Sequence, residues 1–181
     1  MLLGLDLSLT SPGIVTFDGT HYRAHCYSPR KLVERHVDNF HFYPVPDISK
    51  LPLLDRYNHI LTLITTAVGD NVGTAIIEGY AYGANSAGSS KLYELGGIVK
   101  HHLHQLGWTI VVVAPTRVKK QFTGNGRADK AIMYATFLER GFPDLKKLIH
   151  SKAKGIPNPV QDVVDAVALV LVASQNGVTG P

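Results

Sequence analysis

The first ten residues, Met1-Leu2-Leu3-Gly4-Leu5-Asp6-Leu7-Ser8-Leu9-Thr10, carry five leucines and one charge, Asp6. A run this apolar reads as a buried strand. An ionised carboxylate in such a strand is costly unless it is paired or binds a cation. The rest of the chain must therefore supply Asp6 with a partner.

The chain has 181 residues, enough to bury a real core, and one domain spanning 1–181 is expected. No apolar run reaches membrane-spanning length, and the N-terminus lacks the basic flank of a signal peptide. The one cysteine, Cys26, excludes an internal disulfide and suits a reducing compartment. The expected location is thus cytoplasmic, in a prokaryotic cell or a virus-infected host, with no secretion and no membrane partner. Eighteen Lys and Arg oppose fourteen Asp and Glu, a net charge of +4, and the bases concentrate between Arg117 and Lys154.

The first third reads as antiparallel. The strand around Leu2–Ser8 meets a turn at Thr10-Ser11-Pro12-Gly13, Ile14–Phe17 resumes, and Asp18-Gly19 signals a hairpin into His21–Tyr27. Ser28–Asp47, with Pro44 and Pro46, reads as a loop with room for a short helix. From Leu51 the pattern alternates. Leu54, Tyr57, Leu61 and Ile64 mark a helix ending near Gly69, and Thr74–Glu78 a strand. Gly79–Ser90 reads as a loop, Leu92–Leu106 as a helix closed by Gly107, and Thr109–Val113 as a strand stopped by Pro115. A basic loop, Arg117–Arg127, precedes a helix over 128–140. The last helix has Asn158 as N-cap, Pro159 at its first position and Gln161 completing a capping box. Three antiparallel strands plus two added by right-handed crossovers predict an α/β fold with a five-stranded mixed sheet flanked by helices. That is a ribonuclease H-like order.

Three more acids answer Asp6. Glu78 ends the fourth predicted strand, at the C-terminal edge where α/β sheets place their ligand sites. Asp162 and Asp165 sit three apart in Val160–Val172, a helix apolar almost all round. Two like charges on one buried face repel unless a cation lies between them; salt bridges to nearby bases are the alternative. Four carboxylates make a hard oxygen-donor set suited to Mg²⁺, with Mn²⁺ substituting. Two ions roughly 3.5–4 Å apart can activate a water and stabilise the leaving oxygen of a phosphodiester. No Cys/His spacing supports zinc, and His101-His102-Leu103-His104 reads as a solvated helix face.

Arg117, Lys119, Lys120, Arg127 and Lys130 flank Gly124-Asn125-Gly126 just before a helix. Glycines at a helix N-terminus let backbone N–H groups approach phosphate, so this cluster reads as a phosphate site. In the loop after Glu78, Tyr80 and Tyr82 read equally as base-stacking residues and as ordinary packing residues.

The ordered set Gly4-Leu5-Asp6 with Thr10 and Gly13, the strand ending in Glu78, Val118-Lys119 with Gly124-Asn125-Gly126 and Ala128-Asp129-Lys130, and Asp162-Val163-Val164-Asp165-Ala166-Val167-Ala168 resembles the RuvC family of Holliday-junction resolvases, within the ribonuclease H-like superfamily. The resemblance implies that Asp6, Glu78, Asp162 and Asp165 are the metal-binding catalytic acids. It implies that Lys119 and Lys130 contact the scissile or neighbouring phosphates. It further implies a homodimer that nicks two strands of a four-way junction symmetrically, with the helix over Leu92–Leu106 as candidate interface. Two features depart from the family: Leu7-Ser8 stands where Pro-Gly is usual after the first acid, and Ala81 stands where bacterial members carry a stacking aromatic. Such departures resemble viral or otherwise divergent members.

The leading expectation is a Mg²⁺-dependent endonuclease resolving four-way DNA junctions. Rival readings are a flap or branch nuclease, a ribonuclease H on RNA–DNA hybrid, and a non-catalytic junction-binding protein. An actin-like ATPase or sugar kinase shares an acid-bearing strand followed by hydroxyl residues, but needs two lobes for which 181 residues are too few.

Overall fold

The computed structural model describes residues 1–28, 32–80 and 87–175. The elements run β1 (Leu2–Asp6), β2 (Gly13–Phe17), β3 (Tyr22–Ser28), β4 (Arg35–Val37), β5 (Phe40–Pro46), α1 (Leu53–Val68), β6 (Thr74–Glu78), α2 (Ala87–Gln105), β7 (Thr109–Val113), α3 (Pro115–Thr123), α4 (Lys130–Glu139), α5 (Leu145–Leu148) and α6 (Asn158–Gln175). One mixed sheet has the order β4-β5-β3-β2-β1-β6-β7. Strand β1 pairs antiparallel with β2 and parallel with β6, and β6 pairs parallel with β7. Alternation along each strand divides the core. Val15, Ala24, Phe40, Phe42 and Ile76 face α6, α4 and α3, while Leu3, Leu5, Ile14, Ala75 and Ile77 face α1 and α2. No helix among the described residues is long and apolar enough to cross a membrane.

The sheet has seven strands, not the expected five. The two extra strands come from 28–47, which was expected to be loop. Phe40 and Phe42 are buried and alternate with half-buried His41 and Tyr43, a strand period that the prolines disguise. Strand β5 pairs parallel with β3 from Tyr22↔Phe40 to Ser28↔Pro46. Strand β4 reaches only Phe40–Phe42, so Pro44 and Pro46 lie on a stretch with no outer neighbour to want their missing N–H.

The expected basic loop over Arg117–Arg127 is half helix. Pro115 does not only stop β7; it is the first residue of α3, where its fixed φ and absent N–H cost nothing. Val118 and Phe122, four apart, bury the one apolar stripe of α3, and Gly124, at φ 81°, ends it by donating its N–H to the Lys120 carbonyl. Helix α2 begins at Ala87, inside the expected loop over Gly79–Ser90. Its apolar stripe, Leu95, Val99 and Leu103, is fully buried on the chain's own sheet and against α1. His101 and His104 are exposed, and His102 Nε2 meets Thr65 Oγ1 at 2.8 Å.

Helix α6 is buried along most of its length and lies against β1, β2 and β3. Its expected capping box is absent. The N–H groups of Val160 and Gln161 donate to the Pro157 carbonyl, while the Asn158 and Gln161 side chains serve the site described below. The close approach of α6 requires glycine at two places. A Cβ on Gly4 would meet the Ala166 carbonyl oxygen, and one on Gly13 would meet the Asp162 carbonyl oxygen. Both contacts are with helix backbone, which cannot rotate away. Gly13→Ala is expected to lower stability by about 1–3 kcal/mol and to displace Asp162. Chemical denaturation reads the effect on stability.

Candidate active site

Pairing of β1 with β6 in the register Leu5↔Ile77 brings Asp6 and Glu78, the last residues of their strands, to one sheet edge. Helix α6 crosses behind that edge and adds Asp162 and Asp165 from the end that the two glycines admit. The sequence-predicted acids thus come within electrostatic reach of one another from two strands and one helix.

Each acid on α6 is held by one neighbour. Ser11 Oγ donates to Asp162 Oδ2 at 2.6 Å, and the Ser11 N–H donates to Ser8 Oγ at 2.9 Å, which fixes the turn after β1. Gln161 Nε2 donates to Asp165 Oδ1 at 2.8 Å. Among the described residues, Asp6 and Glu78 accept no side-chain hydrogen bond, and none of the four acids forms an ion pair within 4 Å. The salt-bridge alternative is therefore not what the fold adopts.

The cost appears in their proton affinities. Burial, and then the charges of Glu78, Asp165 and Asp162, hold Asp6 well above the usual carboxylate range, with Lys130 opposing. Burial and the Asp165 charge push Glu78 up to about 7, against the pull of Lys119. Burial takes Asp162 up to about 7 despite the Ser11 hydrogen bond, and raises Asp165 despite Gln161, Lys119 and Lys130. Four half-buried hard oxygen donors without an ion pair among the described residues fit a divalent cation in chemistry. Among the described residues, though, no three His, Cys, Asp or Glu side chains are drawn close enough to enclose a metal by themselves.

The predicted basic cluster divides in two. Lys119 and Lys130 are the bases whose fields reach the acids. Lys130 Nζ also donates to Asn158 Oδ1 at 2.8 Å, tying the start of α4 to that of α6. Arg117, Lys120 and Arg127 instead line a separate open cleft of about 690 Å³ with Thr116, Gly124, Asn125 and Gly126. The anion site expected at the N-terminus of α4 is instead taken by a side chain of the protein. Asp129 caps that helix by accepting from the Ile132 N–H, which places a carboxylate where a phosphate would sit.

Tyr80 is half-buried. Its hydroxyl donates to the Leu92 carbonyl at 2.9 Å and its ring occupies the space above Gly96. Of its two readings, the structure shows packing. Tyr82 lies outside the described residues. Three residues that the sequence reading did not single out now flank the site. Ser11 had been only part of a turn, Gln161 only a capping residue, and exposed Tyr93 only a helix position.

No family model matches the chain, and no curated protein matches it in sequence. Solved structures do. RuvC of Thermus thermophilus is similar with a TM-score of 0.56 at 16% identity, over 99% of this chain and 98% of that one. T. thermophilus RuvC in complex with a Holliday junction substrate gives 0.53 at 12% identity, over 99% and 98%. The yeast mitochondrial Holliday junction resolvase gives 0.52 at 11% identity, over 93% of this chain and 75% of that one. At such identities the likeness speaks for the backbone alone: this chain is built on a fold similar to that of RuvC, with a mixed sheet flanked by helices.

Proposed function

We propose that this protein is a Mg²⁺-dependent endonuclease that cuts branched DNA, four-way junctions above all, by phosphodiester hydrolysis. One observation carries the reading: four half-buried carboxylates, none in an ion pair within 4 Å among the described residues, are brought from β1, β6 and α6 to a single sheet edge that the fields of Lys119 and Lys130 reach. The similar solved structures, a RuvC bound to a Holliday junction and a junction resolvase, support four-way junctions as the substrate.

Asp6, Glu78, Asp162 and Asp165 would hold two Mg²⁺ ions, with Mn²⁺ substituting. Bound there, the ions would supply an acidified water and charge for the leaving oxygen. The chain's own residues prepare the place. Ser11 and Gln161 orient Asp162 and Asp165. Lys119 and Lys130 offset phosphate charge next to the acids. Burial keeps bulk water from screening these charges. Paired symmetric nicks require two such sites, so a homodimer is part of the proposal. The apolar stripe of α2 is already buried within one copy, which leaves the opposite face of α2 for any helix-mediated contact.

The test is a cleavage panel in Mg²⁺: four-way junction, flap, linear duplex and RNA–DNA hybrid. Junction cutting into ligatable products supports the reading. Preference for hybrid makes the protein a ribonuclease H, and binding without cutting in either Mg²⁺ or Mn²⁺ makes it a junction-binding protein. The cleft of Arg117, Lys120 and Arg127 is proposed to hold the phosphates of a duplex arm. Changing all three to Gln should reduce the slope of log affinity against log salt by about 2–3, roughly 0.9 per lost phosphate contact. The same slope in wild type and the triple variant removes the cleft from the DNA path.

A further inference from the structure

The carboxylate edge opens into a cavity of about 270 Å³, where Leu7, Tyr80, Leu92, Tyr93 and Pro115 join Asp6 and Glu78 as walls. It is smaller than the about 300–1,000 Å³ of pockets that enclose whole ligands, so it suits one portion of a larger substrate. Tyr80 is a fixed wall, pinned by its bond to the Leu92 carbonyl and by its seat over Gly96. Tyr93 meets Tyr80 edge to face, with centroids 4.5 Å apart and planes at 74°. Tyr93 is nevertheless 44% exposed, and among the described residues it is the one aromatic in the set of exposed large hydrophobics. An aromatic ring braced by its neighbour yet left open to solvent, on the wall of a cavity that reaches catalytic carboxylates, is placed to receive something flat.

We propose that this cavity seats one unpaired nucleobase of the nucleotide next to the phosphate held at Asp6 and Glu78, with Tyr93 as its stacking platform. The inference rests on the nuclease reading and adds to it a means of selecting branched substrates. Leu7, Leu92 and Pro115 give the cavity apolar faces that suit a neutral base, and a base stacks on tyrosine. Bases inside a continuous duplex are held by pairing and stacking. Those at a branch point are released at least cost, so the cavity favours strands that are already open.

The experiment measures junction binding in the cleavage-blocked Asp6→Asn protein. Adding Tyr93→Ala should weaken binding about tenfold, the scale of one lost base–aromatic stack, while Tyr93→Phe should stay within about twofold. Junctions with an abasic nucleotide on either side of the cut phosphate supply a second arm that leaves the protein unaltered. At one position the abasic site should weaken binding about tenfold when Tyr93 is present and cost nothing further with Tyr93→Ala, the non-additivity of two partners in one contact. Wild-type-like binding by Tyr93→Ala overturns the proposal, as do abasic effects that simply add to those of Tyr93→Ala at both positions. If the protein with Tyr93 intact binds and cuts junctions while Tyr93→Ala cuts equally well, the base seat alone falls. If the intact protein neither binds nor cuts any junction, the nuclease reading falls with it.

Discussion

Asp6→Asn is expected to abolish junction cleavage, by about 10³-fold or more, and to change junction affinity by less than about threefold. The two effects separate because they rest on different residues. Asp6 ends the interior strand β1 and feels the charges of all three other acids, so it sits at the middle of the electrostatic site. Asparagine keeps its shape but brings a weaker, neutral donor, and a divalent ion held by the remaining acids would lose a charged ligand. The proposed DNA contacts rest instead on Lys119, Lys130 and the cleft of Arg117, Lys120 and Arg127. Removing one carboxylate from the protein's surface field does not weaken those contacts. Cleavage in Mg²⁺ and a gel-shift titration in chelator measure the two quantities. Residual cutting above about one-hundredth of wild type would mean that the site tolerates loss of its central acid and would sink the two-ion assignment.

Two of the acids stand out in the sequence because they violate their surroundings. Asp6 interrupts leucines, and Asp165 lies too far into an apolar helix for the helix dipole to explain it. Such a mismatch is visible without coordinates. The devices that make the site work were not legible, because they act across the fold. Gly4 looks like an ordinary strand glycine and Gly13 like a turn glycine until the backbone of α6 is seen to need their missing side chains. Ser11 looks like a turn residue until its hydroxyl meets Asp162, 151 positions away. Strand β5 was hidden because only Phe40 and Phe42 carry its period, between histidines and prolines that individually argue for loop. Helix α3 was hidden because Val118 and Phe122 are its whole apolar face and its opening proline resembles a stop. The basic residues were read as one cluster because they are close in sequence. A helix turns them to different sides, sending Lys119 to the acids and Arg117 and Lys120 to the cleft.

Without divalent cations, the protein is expected to lose stability as pH rises from about 4 to about 7, and Glu78→Gln is expected to abolish much of that loss. Glu78 moves from 4.5 to about 7 on folding, and Asp162 from 3.8 to about 7. Between those values the folded chain keeps protons that the unfolded chain has released. Stability therefore falls with pH through this window and levels off above it. His25 acts in the opposite sense. Burial lowers it from 6.5 to about 4, so its contribution grows as pH rises through part of the same range. Comparing wild type with Glu78→Gln at each pH cancels that term. The Glu78 carboxyl alone, carried from 4.5 to about 7, corresponds to about 3 kcal/mol at most between pH 4 and pH 8. For a chain of this size the variant should melt about 5–10 °C above wild type at pH 8 and close to it at pH 4.5. Mg²⁺ should narrow the gap at pH 8 by stabilising wild type, because the ion replaces the protons that the acids no longer hold. Calorimetric melts across pH, in chelator and in Mg²⁺, measure all of this. Equal melting temperatures for wild type and Glu78→Gln at pH 8 in chelator would show that Glu78 is already compensated within the fold, and the argument for a cation at this edge would lose its energetic basis.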